Sequence, residues 1–194
     1  MNEKKEAIIN AAIEVIKEKS IEEATMREIA SKANITTGAI YHYYKNKEEL
    51  FYDIINHFVL FGQRISDADQ LSQKTSNEIL ENIKKEVGLR LSKVDEQKLH
   101  ILLLSDVISK DGEMKEIYKA DYEDIIKKIA DTHYYLFGIE NEELKTMISA
   151  IFLATLDGLA IQTALGVIPE DLEKFIEVFN TFFAESVPTF LKKH

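Results

Sequence analysis

Between Ile29 and Lys47 the chain carries three lysines and no acid. Within it, the run 36–43 carries Thr36, Thr37, Tyr41, His42 and Tyr43, with Gly38 among them. A solvated helix of this length would use glutamate, lysine and glutamine instead. Hydroxyl, imidazole and phenol groups can bond phosphate oxygens, meet base edges and cover thymine methyls, and a glycine lets a backbone come close. Thr25 and Arg27 precede the stretch and Lys47 closes it, adding one hydroxyl and two cations suited to phosphate. Singly, Tyr41 and Tyr44 also read as core aromatics, Tyr44 more so. His42 alone reads as a surface histidine, and Arg27 and Lys47 as solvated charges. The constellation is what points to nucleic acid.

These residues need short helices to present them. A broad apolar stripe (Ile8, Ile9, Ala12, Ile13, Val15, Ile16) predicts a first helix from about Asn2 to Lys19. Thr25-Met26-Arg27-Glu28 reads as a capping box that opens a second helix ending near Lys32. Ala33-Asn34-Ile35-Thr36 is a turn, with Asn34 tolerant of the left-handed conformation and Thr36 a helix cap. A third helix is expected over Thr37 to Tyr43. Ala30 and Ala33 are small enough to let the two helices cross closely, and Ile29, Ile35 and Ile40 can lock them. Asn46-Lys47-Glu48-Glu49 opens a fourth helix, expected over 46–65 and connecting a domain at 1–48 to a larger one at 49–194.

The larger domain also reads as helical. Residues 66–74 form a polar loop, and Thr75-Ser76-Asn77-Glu78 is a further capping box. Helices follow over about Asp95 to Ser109, then to Gly138, from Asn141 to Gly166, and from Pro169 onward. The sum is an all-α chain of about nine helices with no strand pattern and no repeat. The helix over Asp95–Ser109 is apolar nearly all round from Leu99 to Leu104, so it is expected to be central. Ile148, Ile151, Phe152, Leu156, Leu159 and Ala160 cover most sides of the eighth helix. Phe175, Phe179, Phe182 and Phe183 share a face of the ninth. That is more apolar surface than one outer layer needs.

Composition narrows the function. The 194 residues include no cysteine, which removes disulfides, thiolate metal sites and a Cys nucleophile. Net charge is −10, but residues 1–50 hold eight basic and nine acidic side chains, so most of the excess lies beyond them. A nucleic-acid reader needs a basic face, not a basic chain. The start is charged with both signs and has no secretory pattern. Thr146 to Ile168 is apolar, yet Asp157 sits near its middle, at a cost of roughly 2.5–3.5 kcal/mol in a membrane; a helix buried between subunits is expected, and no membrane span. No Gly-rich phosphate loop, G-x-S-x-G, H-E-x-x-H or Glu-x-x-His is present. Glu96 with His100 and Asp53 with His57 are loose pairs. No enzyme, cofactor or metal is expected, and the location expected is the cytoplasm.

The stretch Thr25-Met26-Arg27-Glu28-Ile29-Ala30, Ala33, Thr37-Gly38-Ala39-Ile40-Tyr41-His42-Tyr43-Tyr44 and Lys47-Glu48-Glu49-Leu50 resembles the TetR family of regulators. The chain departs from the family pattern at Asn34 and Tyr44, where Gly and Phe are usual, and in the glycine-free Lys19-Ser20-Ile21. The resemblance implies an N-terminal three-helix helix-turn-helix domain followed by a ligand-binding and dimerisation domain. It implies that Thr25, Arg27 and Lys47 hold phosphate, that Thr36, Thr37 and Gly38 sit at the groove end of the third helix, that Tyr41 and Tyr43 meet backbone or a thymine methyl, and that His42 reads a base. It further implies a homodimer on a palindromic double-stranded DNA operator, through Phe152, Leu156, Leu159, Phe175, Phe179 and Phe182. A small-molecule effector is implied, with His100, Met114, Tyr118, Tyr122 and Phe152 as candidate lining, and repression as the commoner output. Asp106 and Asp157 could pair with a cationic ligand or be satisfied internally. The alternative is a helical interaction module or an acidic anti-regulator that does not bind DNA.

Overall fold

The computed structural model describes residues 3–54, 71–169 and 171–192, and among these all regular structure is helical. Expectations for the second half of the fourth helix, for most of the 66–74 loop and for His57 lie outside the described residues. The chain divides into two compact units, Met1–Val59 with Leu99–Glu116, and Leu60–Lys98 with Ile117–His194.

The first unit contains α1 (Glu3–Glu18), α2 (Met26–Lys32) and α3 (Thr37–Ile40), and a helix α4 that starts at residue 47 and is helical through 54. Of the expected apolar stripe, Ile8, Ile9, Ala12, Val15 and Ile16 of α1 are inside and Ile13 is half-buried; Met26, Ile29, Ala30, Ile40, Leu50, Phe51 and Ile54 are inside as well. α1 packs on α2, and α2 on α3. Tyr44 is buried, and its hydroxyl donates to Asp53 Oδ2 at 2.7 Å. Lys5 reaches the same carboxylate at 3.4 Å and lies 5.0 Å from the Tyr44 ring centroid. Burial first, and then the Asp53 hydrogen bond, push the Tyr44 phenol up from its usual range. The extra hydroxyl has its partner.

The regular part of α3 is shorter than the spacing predicts. After Ile40 the chain tightens into three-residue bonds, His42 N–H to Ala39 O and Tyr43 N–H to Ile40 O. Four aromatic rings in succession favour the helix less than straight chains do.

α5 (Ser76–Ser92), α7 (Glu113–Phe137), α8 (Glu142–Leu165) and α9 (Leu172–Leu191) build the second unit; α6 (Val94–Ser109) lies between α5 and α7 and gives the first unit its residues from Leu99 onward, and α7 its residues through Glu116. Thr75 caps α5 with the expected box to Glu78, and Asn141 caps α8. Gly166, at φ +72°, ends α8 in the left-handed conformation that glycine adopts without penalty. The ninth helix starts at Leu172 rather than at Pro169, because the Asp171 carboxylate accepts from Lys174 N–H at 3.0 Å. Leu99 and Leu103 of α6 are buried, whereas Leu102 is exposed, so that segment is not apolar-covered on all sides.

α5 packs against α8 and α9. Behind it Phe152, Phe179 and Phe183 form an aromatic cluster with centroids 5.0–5.7 Å apart, and His133 meets the edge of Phe152 at 5.7 Å. His133 is buried, with Nδ1 2.9 Å from Ser149 Oγ. Ser149 Oγ donates its proton to Lys145 O at 2.7 Å, so the His133 Nδ1–H is the donor to Ser149 Oγ. Burial lowers the His133 pKa from 6.5 to about 4.

The unfolded chain therefore binds this proton at a pH where the folded chain does not, and stability must fall as pH drops from about 6.5 toward about 4. Urea unfolding across that window is expected to show a slope that the His133→Phe variant reduces. Equal slopes in both proteins would mean that His133 titrates normally.

Candidate nucleic-acid interface

The site is built on two backbone devices. At the start of α2, Thr25 Oγ1 accepts from Glu28 N–H at 3.3 Å while Glu28 Oε2 accepts from Thr25 N–H at 3.2 Å. This capping box satisfies two otherwise free donors. Glu28 is also paired with Lys19. At the end of α2, Asn34 turns left-handed at φ 57°. Asn34 N–H then reaches Ser31 O at 3.1 Å and Ile35 N–H reaches Ala30 O at 2.9 Å, the Schellman pattern. One residue later Thr36 caps α3, its Oγ1 accepting from Ala39 N–H at 3.1 Å.

Those devices leave α3 with its back buried through Ile40 and its front open. Thr36, Thr37, Gly38 and His42 are exposed, Tyr41 is 50% exposed, and Tyr43 is half-buried. A Cβ placed on Gly38 would touch nothing within 4 Å. Nothing inside the protein requires glycine there, although glycine costs roughly 1 kcal/mol against alanine within a helix. Tyr44, by contrast, is core.

The cations divide into committed and uncommitted. Lys32 is paired with Glu14 and Glu18, and Lys5 with Asp53. Lys47 does not point outward: its ammonium donates to Ile21 O at 2.9 Å and to Glu22 O and Ala24 O at 3.2 Å. Arg27 and Lys45 are exposed and make no ion pair among the described residues. Lys45 is an exposed cation beside the set that the sequence identifies. Its signal was its place in the acid-free run, two residues before Lys47.

In the second unit the apolar residues proposed for a subunit contact sort differently from the expectation. Phe152, Leu156, Leu159 and Phe179 are buried within the single chain, Phe179 at 7% exposure, and Phe175 is half-buried. They are spent on the core and cannot form an outer face; of the six, Phe182 is exposed, at 62%. The exposed apolar residues of α8 are Met147, Ile151, Ile161 and Leu165. With Ala154 and Gly158 between them, they recur at steps of four, three, four, three and four, which is one helix face. Val178 joins Phe182 on α9.

The proposed lining residues are drawn from both units. His100 and Met114 belong to the first unit, the others to the second. Phe152 is taken by the aromatic cluster. Tyr122 feels the charge of Asp157, which pairs with Arg90 Nη2 at 2.6 Å; burial and then the Asp157 charge push its phenol up. Gln97 Nε2 donates to Arg90 O at 3.0 Å, and its buried Oε1 has no partner among the described residues. Both carboxylates in apolar contexts are satisfied internally, Asp157 by Arg90 and Asp106 by Lys110 at 2.6 Å.

Residues 8–54 match the model of the bacterial regulatory proteins of the tetR family. Over 184 residues the chain is 29% identical to the HTH-type transcriptional regulator YerO of Bacillus subtilis, covering 91% of this chain and 63% of YerO. Over 53 residues it is 42% identical to the HTH-type transcriptional repressor BepR of Brucella suis, covering 27% and 25% of the two chains. The fold is shared with the Bacillus subtilis regulator FadR, solved with stearoyl-CoA, at a TM-score of 0.73 and 18% identity over 93% of this chain and 97% of that one.

The left-handed turn gives a direct check. Asn34→Ala is expected to lower stability by about 1 kcal/mol, and Asn34→Gly to retain or raise it. Urea unfolding that ranks alanine level with glycine would contradict the turn.

Proposed function

We propose that this chain, whose residues 8–54 match the model of the tetR family of bacterial regulatory proteins, regulates transcription by laying α3 of two copies into successive major grooves of an operator. The observation that carries the contact assignment is the front of α3. Gly38 and Tyr41 are costly exposed choices with no return inside the protein, and they sit between Thr37 and His42. Thr36, Thr37, Gly38, Tyr41, His42 and Tyr43 form the reading surface, with Thr25, Arg27 and Lys45 holding the backbone.

A second copy supplies the second reading head. The Met147–Ile151–Ala154–Gly158–Ile161–Leu165 face of α8, with Val178 and Phe182 of α9, is its seat. Gly158, like Gly38, has open space at its Cβ position, which suits close crossing by a partner helix. α8 is long and apolar enough to cross a membrane by composition alone, but Asp157 on it is held by Arg90, and a subunit contact accounts for the open side. This reading places the protein in the cytoplasm. A small-molecule effector would be met in the second unit, where Tyr118, Tyr122 and the unpartnered Gln97 Oε1 offer polar tips among apolar walls. Repression is the output this reading adopts, in keeping with the similarity of the N-terminal residues to the repressor BepR. Catalysis forms no part of the reading.

Two variants test the two halves. Tyr41→Ala is expected to weaken operator binding about tenfold or more while the dimer persists; unchanged affinity would remove Tyr41 from the interface. Phe182→Asp is expected to yield folded monomers by sedimentation, and a persistent dimer would move the contact off this face.

A further inference from the structure

Lys47 is expected from the resemblance to hold a phosphate, but its surroundings are those of a captured cation. An ammonium has three protons, and three carbonyls accept them: Ile21 O, Glu22 O and Ala24 O, at 2.9, 3.2 and 3.2 Å. The side chain crosses the Phe51 ring, with Nζ 5.4 Å from its centroid. Those carbonyls line the connection from α1 to α2, and Ala24 directly precedes Thr25, the cap of α2. The lysine thus joins the first residue of α4 to the entry of α2.

The neighbourhood disfavours an anion. Glu48 follows Lys47 in the chain, and Glu22 supplies one of the three carbonyls; both side chains are exposed. Among the described residues of the first unit, Arg27 and Lys45 are exposed cations that no ion pair holds.

We propose that Lys47 is a positioning residue, not a DNA ligand: it clamps the α1–α2 connection onto the start of α4 and so sets how Thr25 and Arg27 are presented. The proposal rests on the DNA-binding reading for its consequence, while the clamp itself belongs to the free protein. The test uses the full chain, a 30-base-pair duplex of random sequence, and salt from 50 to 200 mM. Lys47→Ala is expected to weaken binding about fivefold, with the slope of log affinity against log salt unchanged. A lost phosphate contact would instead reduce that slope by about one unit, and this result, or undiminished affinity, would overturn the proposal. A second measurement needs no variant. In the free protein, lysine-ammonium nitrogen NMR should show one slowly exchanging resonance from Lys47 that persists when duplex is added. Its absence from the free protein, or its displacement by DNA, would overturn the clamp. Failure of the unaltered protein to bind duplex in a salt-dependent way would sink the DNA reading, and the free-protein resonance would still decide the clamp.

Discussion

Asn34 turns the backbone left-handed at φ 57°, and the presentation of α3 depends on that one residue. The turn closes α2 through Ile35 N–H to Ala30 O and releases the chain at the angle from which Thr36 can cap the next helix. Ile29, Ala30 and Ile40 are fully buried around it, so the crossing of α2 and α3 is set by small and branched side chains and not by polar contacts. A reading surface must be held rigidly from behind, because a slack helix would give up its contacts to conformational entropy. Here the support is apolar, the termini are capped, and Tyr44 fixes the exit through Asp53 and Lys5.

The second unit separates two uses of apolar surface. Phe152, Leu156, Leu159 and Phe179 face inward and account for its core. The opposite side of α8 keeps an unbroken apolar row, centred on two small residues, that the chain leaves open. Large exposed apolar faces of this kind mark association in soluble proteins. Arg90 and Asp157 are paired within the unit, whereas Gln97 Oε1, buried and without a partner among the described residues, is an acceptor that a bound molecule could use.

Much of this was legible from residue types. Thr25 with Glu28, Thr75 with Glu78, and Asn141 with Gly166 marked helix ends where the structure has them, because capping is local chemistry written within three or four residues. The apolar period of α1 identified its buried side. Three things were not legible. A helical period shows which residues leave water but not whether they meet their own chain or a second copy, so Phe179 and Phe182 looked alike. The aromatic run after Ile40 hid the tightening of α3. Lys47 sits where a phosphate ligand is expected, and only the fold brings Ile21, Glu22 and Ala24 around its ammonium.

The central claim is that two copies of one α3 surface read DNA together, and selection from a pool of random duplexes at moderate salt tests it most directly. The account predicts enrichment of an inverted repeat whose half-sites lie about one helical turn, roughly 34 Å, apart or a multiple of it. A folded protein, free of bound small molecule by mass spectrometry, that enriches no sequence, or only a single unrepeated half-site, would contradict it.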